Sequence, residues 1–363
     1  MNTFYMPVKI FSGQNIIREK CQEFKLLGNK ALIVTGKSSS KKNGSLKDVE
    51  DALKHASVSF VIFDEIEENP SLETIEKAAE FGKSEEVDFI IGIGGGSPLD
   101  SSKAIGVLIK NPSIKGEDLY KIDNLKSLNI AAVPTTSGTG SEVTPYAIIT
   151  LHKEKTKKNF AQKIFPAAAF LDARYTVNTP LDITVNTAVD ALSHLVEAYL
   201  NKNACILTDA IAEAGMRIWG EALEQLISGE LDIKDRERLM FASVLGGIAI
   251  AQTGTSLPHG MGYPLTYNKG LSHGIANGIL YVEYLRTFKD RKKVNRIPEL
   301  LGVKGYELFE EILKKLTRTQ ISITDEEIEE YTAGIFKNKG KLANHPEEIT
   351  YEELYNIYKG SFT

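Results

Sequence analysis

Four short runs of apolar residues punctuate the first half of the chain: Ala31-Leu32-Ile33-Val34-Thr35, Ser59-Phe60-Val61-Ile62-Phe63, Asp88-Phe89-Ile90-Ile91-Gly92-Ile93 and Asn129-Ile130-Ala131-Ala132-Val133, the last stopped by Pro134. Between them, residues 46–55 and 71–86 place their apolar positions at helical spacing. Strands that are apolar throughout, rather than alternating, are buried on both faces. Alternating them with amphipathic helices predicts a parallel sheet covered on both sides.

The pattern changes near residue 181. Residues 184–200, 209–226, 234–253 and 306–316 read as helices by their 3.6-residue period, and no strand signal follows. The turn Asn178-Thr179-Pro180 divides the two patterns. The predicted architecture is an α/β domain over 1–180 and an all-α domain over 181–363.

Composition narrows the function classes. The chain has 363 residues, 42% hydrophobic and 25% charged, with a formal net charge of -5. The acidic balance argues against nucleic acid, and no apolar run approaches the ~20 residues of a membrane span. The start, MNTFYMPVKI, lacks the basic-then-apolar pattern of a signal peptide. Cys21 and Cys205 lie far apart without CxxC spacing and are expected to be reduced thiols. A cytoplasmic location is the expectation.

Two loops carry candidate chemistry. Gly94-Gly95-Gly96-Ser97-Pro98-Leu99-Asp100 follows a predicted strand and opens a predicted helix, with Ser97 suited to the N-cap and Pro98 to the first helical position. Glycines let a phosphate approach the backbone, and the helix start offers free N–H groups. The spacing is not that of GxGxxG, and the loop follows a later strand than the first. Pro134-Thr135-Thr136-Ser137-Gly138-Thr139-Gly140-Ser141-Glu142 follows the next strand. Two such loops at successive strand ends predict a dinucleotide cleft, with Gly94, Gly95, Gly96, Ser97, Asp100, Thr135, Thr136, Thr139 and Ser141 as candidates, together with Asn69.

The chain has six histidines. Asp190-Ala191-Leu192-Ser193-His194 sets a carboxylate and an imidazole four residues apart, on one helix face. His259 and His273 sit in glycine-rich surroundings. One carboxylate and three imidazoles make a plausible Fe²⁺ or Zn²⁺ site, whose residual positive charge suits a Lewis acid acting on a substrate oxygen. His55, His152 and His345 lie in polar stretches and read as solvated.

These segments, in this order, resemble the iron-containing (group III) alcohol dehydrogenases: Gly94-Gly95-Gly96-Ser97 with Asp100, PTTSGTGSE, Asp190 with His194, and HGMGYPL through LSHGIAN. The likeness covers nearly the whole chain. It implies a dinucleotide-binding α/β domain, a helical metal domain of dehydroquinate synthase-like architecture, and an active site in the cleft between them. It also implies iron ligands at Asp190, His194, His259 and His273, small primary alcohols or diols as substrates, including propanediol or butanol types, and a homodimer. One departure is Tyr263, where the family usually carries a histidine.

A second departure bears on the cofactor. NAD-preferring relatives carry an aspartate after the threonine that ends the first core strand. Here the position is Gly36, followed by Lys37, Ser38, Ser39, Ser40, Lys41 and Lys42. An aspartate would repel a ribose phosphate, whereas glycine leaves room and Ser or Lys donors can bind it, so NADP is expected over NAD. The rival readings are a glycerol dehydrogenase-like polyol enzyme, a dehydroquinate synthase-like lyase, and a non-catalytic NADP- or metal-binding protein. The complete Asp/His/His/His set argues against the first. The second would need a richer basic set around the metal, and intact motifs in both halves argue against the third.

Overall fold

A computed structural model describes residues 3–154 and 156–362. The chain forms two compact units. One is Met6–Thr179; the other begins at Pro180 and takes in the N-terminal tail up to Tyr5. That tail is tied to the helical unit by paired hydrogen bonds between the Tyr5 backbone and the Gln252 side chain, at 2.9 and 3.0 Å.

The first unit is built on a six-stranded parallel sheet. Its strands are β1 (Lys9–Ser12), β2 (Lys30–Thr35), β3 (Ser59–Phe63), β4 (Phe89–Gly94), β5 (Asn129–Pro134) and β8 (Ala168–Leu171), in the order β1-β8-β5-β4-β2-β3. The intervening β6 (Ile148–Leu151) and β7 (Thr156–Asn159) form a separate antiparallel pair. Two apolar clusters explain the strands' continuous hydrophobicity. Ala31, Ile33, Phe89, Ile91, Ile93, Ala131 and Val133 face Ile17, Phe24, Val49 and Leu53 on one side. The alternate residues Leu32, Val34, Ile90 and Ile130 face Ile75, Ala78, Ile105 and Leu108 on the other. The period-2 pleat divides each strand between two cores.

The second unit is helical, and no strand occurs in it among the described residues. Its helices Leu181–Leu200, Ile206–Gly220 and Ile233–Thr253 pack around Leu192, Leu195, Met216, Trp219 and Leu239. The Trp219 indole donates to the Ala188 carbonyl at 2.8 Å, so its polar edge is satisfied inside that core. The helix predicted over 209–226 is interrupted: Ile206–Gly220 and Leu223–Ser228 are separate. At Gly220 a Cβ would lie 2.4 Å from the Leu301 carbonyl oxygen, so glycine is required where the two backbones meet. Among the described residues, no single helix is long and apolar enough to cross a membrane.

Candidate metal centre and dinucleotide edge

The order β5-β4-β2-β3 aligns the carboxyl ends of four parallel strands. The register pairs Thr35 with Ile93 and Gly94 with Pro134. Gly36, the Gly94–Ser97 loop and the loop from Thr135 therefore leave one edge of the sheet side by side. The chain reverses its direction of travel across the sheet between β2 and β4, which is the switch point where α/β sheets bind ligands.

The two loops are packed onto each other. The Thr135 N–H donates to the Gly94 carbonyl at 2.9 Å. A Cβ at Gly95 would lie 3.1 Å from Thr136 Oγ1, and one at Gly96 would lie 2.8 Å from Thr139 Cγ2. The glycines thus serve the loop–loop approach as well as any ligand. The helix following the loop is Gly96–Lys110, with Gly95 at its N-cap. This corrects the expectation of Ser97 as cap and Pro98 as first helical residue. Ser97 Oγ instead accepts from the Asn69 N–H at 3.2 Å.

Asn69 stands in a left-handed conformation, φ 57°. Its side-chain oxygen accepts from Lys157 Nζ at 2.7 Å. Lys157 escaped the sequence reading because β7 carries no strand signal; burial holds its pKa down to about 8. Asp100 and Ser141 are joined to each other at 2.5 Å, and the second Asp100 oxygen accepts from the Ile148 N–H at 2.8 Å. Beneath them the fully buried Lys103 donates to Ser141 Oγ at 2.8 Å and to the Tyr146 carbonyl at 2.6 Å. These residues brace the second loop against the helix Gly96–Lys110.

At the turn after β2, Ser38 and Ser39 are exposed and Gly36 is partly so. Ser40 is buried and accepts a hydrogen bond from the Thr35 hydroxyl at 2.8 Å, so its side chain is turned inward. Lys41 is paired with Asp64 at 2.5 Å.

In the helical unit, Asp190 and His194 lie on Leu181–Leu200, both buried. His259 lies in the first turn of Leu257–Lys269, whose Pro258 suits a helix start. His273 opens the helix His273–Gly278. Ligand atoms of Asp190, His259 and His273 lie within 4.8 Å of one another, with His259 Nε2 and His273 Nε2 at 3.6 and 3.8 Å from Asp190 Oδ1. His194 Nε2 joins them at 2.9 Å from His259 Nε2, the two rings stacked with centroids 4.6 Å apart. The structure therefore brings all four candidates together.

The donor set fits a divalent transition ion. Metal–nitrogen bonds of about 2.1 Å place neighbouring ligand atoms roughly 3.0–3.4 Å apart, close to the spacing seen here. Three nitrogens and one oxygen suit iron or zinc better than magnesium or calcium. Burial would raise the Asp190 pKa, but His194, His273 and His259 outweigh it and hold the carboxyl well below the usual range. His273 is the most open member, its side chain 32% exposed, and Tyr263 stacks beside it at 5.9 Å.

Two residues behind the ligands were missed. Glu197, fully buried, accepts from His259 Nδ1 at 2.5 Å. Asn277, also fully buried, sits 3.4 Å from Asp190 Oδ1 and 3.3 Å from His273 Nε2. The spacing held the signal: Glu197 lies at i+7 from Asp190 and i+3 from His194 on the same helical stripe, and Asn277 follows His273 at i+4. His55 and His152 are exposed as expected. His345 is not solvated. It is buried against Phe288 and Tyr284, whose hydroxyl lies 3.3 Å from its Nδ1. Cys21 and Cys205 are free thiols.

Fold and residues meet in the comparisons. The family model for iron-containing alcohol dehydrogenases matches residues 7–173, and that for the C-terminal domain of the same family matches 184–362. The chain belongs to the iron-containing alcohol dehydrogenase family, an oxidoreductase family with metal-dependent chemistry. It is 32% identical to a 1,3-propanediol dehydrogenase of Citrobacter freundii, over 83% of this chain and 80% of that one. It is 30% identical to an NADPH-dependent butanol dehydrogenase of Clostridium saccharobutylicum, over 99% and 97%. An iron-containing alcohol dehydrogenase structure from Thermotoga maritima superposes with a TM-score of 0.93, at 40% identity, covering 100% of this chain and 99% of that one.

Proposed function

We propose that this metal-dependent alcohol dehydrogenase interconverts small primary alcohols or diols with their aldehydes, using NADP(H) in preference to NAD(H) and Fe²⁺ in preference to Zn²⁺. The convergence of Asp190, His194, His259 and His273 on one point is the observation that carries the reading. When bound there, a divalent ion supplies Lewis-acid polarisation of the substrate oxygen. Asp190 and the three imidazoles hold the ion, and Tyr263 borders its exposed side at His273. Gly94, Gly95, Gly96 and Ser97 present backbone N–H groups at the helix start to a pyrophosphate. Thr135, Thr136 and Thr139 line the same edge, while Asp100 and Ser141 hold that loop in place.

The cofactor preference rests on Gly36 with the exposed Ser38, Ser39, Lys37 and Lys42. The 1,3-propanediol and butanol dehydrogenases among the relatives point to short-chain substrates. A homodimer and a cytoplasmic location complete the reading. The test is oxidation of NADPH and NADH by iron-loaded protein with a panel of C3–C5 aldehydes and hydroxyaldehydes. Faster turnover with NADPH on a short aldehyde is expected; no turnover with either cofactor would overturn the reading.

A further inference from the structure

Glu197 is a fully buried carboxylate. Burying an ionised carboxylate is costly unless donors surround it. Its Oε2 accepts from the Ser256 backbone N–H at 2.5 Å, and its Oε1 from His259 Nδ1 at 2.5 Å. The Tyr281 hydroxyl lies 2.8 Å from Oε1 and 2.9 Å from the Ser193 carbonyl and can donate to either. A carboxylate only accepts, so His259 must carry its proton on Nδ1. Its Nε2 is then left with a lone pair, facing Asp190 Oδ1 and His194 Nε2.

We propose that Glu197 is a positioning residue for the metal centre: it fixes the ring orientation and tautomer of His259 so that Nε2 is the ligand atom. The inference rests on the metal reading above. It differs from a packing role in what it demands chemically. A carboxylate has two equivalent acceptors, and its partners here, the Ser256 N–H, His259 Nδ1 and the Tyr281 hydroxyl, can all donate to it. A glutamine of the same shape does not satisfy them. The Ser256 N–H is backbone and cannot change role, so the glutamine oxygen must face it. The glutamine NH₂ then faces His259 Nδ1, and the Tyr281 hydroxyl can accept from it while donating to Ser193. His259 can accept at Nδ1 only by moving its proton to Nε2, the atom that should bind the ion. Loss of such a partner behind a ligating histidine typically weakens metal binding roughly 10–100-fold.

The test is Co²⁺ and Zn²⁺ affinity of the full-length protein, measured by competition with a chromophoric chelator, for wild type, Glu197→Gln and Tyr281→Phe. Glu197→Gln should weaken both ions by about 10–100-fold and alter the visible spectrum of the cobalt form. Tyr281→Phe leaves the carboxylate and its two obligatory donors, and should weaken them only a few-fold. Unchanged affinity in a folded Glu197→Gln would overturn the proposal while leaving the metal site standing. A wild type that binds no ion at one per chain would overturn both. Should Glu197→Gln fail to fold, ¹⁵N NMR of the zinc-loaded wild type decides: the proposal requires a proton on His259 Nδ1, and a proton on Nε2 with Nδ1 bare would overturn it.

Discussion

The two units assemble their candidate chemistry from different material. In the α/β unit, the loops at the strand ends offer backbone N–H groups and small hydroxyls, and the charged residues nearby, Asp100 and Lys103, are occupied in holding those loops together. In the helical unit the chemistry is in side chains: Asp190, His194 and His259 are buried ionisable groups with Glu197 behind them. A loop that binds through its backbone tolerates many sequences but depends on its bracing. A cluster of buried ionisable groups tolerates few changes, because every member leaves a partner unsatisfied when it is removed.

The largest effect should follow from breaking the side-chain cluster. His259→Ala or His273→Ala should reduce affinity for iron or zinc by more than about 100-fold, beyond the range for residues behind the ligands, and remove alcohol oxidation with it. Metal content after dialysis measures this, and full occupancy in both variants would contradict the ligand assignment. Dinucleotide binding, which depends on the other unit, should survive both changes.

Breaking the brace in the α/β unit comes next. Lys103 is fully buried between Ser141 and the Tyr146 carbonyl, with Asp100 at 3.5 Å. Lys103→Met leaves the Asp100 carboxylate without its cation, at a cost of about 3 kcal/mol. Glu142 limits the damage: burial pushes its pKa up to about 7, so it takes up a proton readily. Urea unfolding at pH 7 would show the loss, and an unchanged midpoint would mean that the loops are held by their packing alone.

The same contrast governs what the sequence reveals. Strands β2, β4 and β5 were legible because both faces are buried, so each reads as a continuous apolar run, and the edge strand β3, SFVIF, carries such a run although it is only partly buried. β1, an edge strand with the sequence KIFS and mostly exposed, gives no such run, and neither does β7, with TKKN. The helix Leu257–Lys269 was missed because Pro258, Gly260, Gly262 and Pro264 erase its period. Its glycines answer to neighbours: a Cβ at Gly260 would lie 2.5 Å from Ile335, and one at Gly262 would lie 2.1 Å from Asn277. The three metal-candidate histidines were visible as a rare residue type, and Asp190 through its four-residue spacing to His194. Glu197 was passed over because an acid is common on a helix, and its place on the Asp190 and His194 stripe gains weight only once the fold shows that it is buried.

The cofactor turn sharpens the comparison from the backbone side. Gly36→Asp puts a carboxylate where the ribose phosphate is expected, and like charges across a binding site are strongly unfavourable. NADP affinity should fall by about tenfold to a hundredfold, with NAD affinity equal or better. The Lys41–Asp64 pair already places one acid near this turn, so the added aspartate compounds a charge that Lys41 now offsets. Titration of both cofactors into both proteins reads the ratio, and an unchanged ratio would place the preference elsewhere.

The smallest effect concerns a histidine outside both candidate sites. Burial holds the pKa of His345 down to about 4, against the opposing pull of Glu347 and Glu353. The neutral ring also suits its contact with Tyr284, whose hydroxyl can donate to an unprotonated Nδ1. Because the folded pKa lies below the ordinary value of about 6.5, the unfolded chain takes up a proton first as the pH falls. The stability that the buried neutral ring contributes is therefore complete above about pH 6.5 and is lost progressively down to pH 4. Each pKa unit corresponds to about 1.4 kcal/mol, so about 2 kcal/mol should be gone by pH 5. His345→Gln keeps an acceptor for Tyr284 but does not titrate, and should flatten this part of the profile. Urea midpoints for wild type and variant at pH 7.5 and pH 5 measure it. If the two proteins lose the same stability between those values, the acid sensitivity of the helical unit lies elsewhere, with the Asp190 and His259 cluster the first place to look.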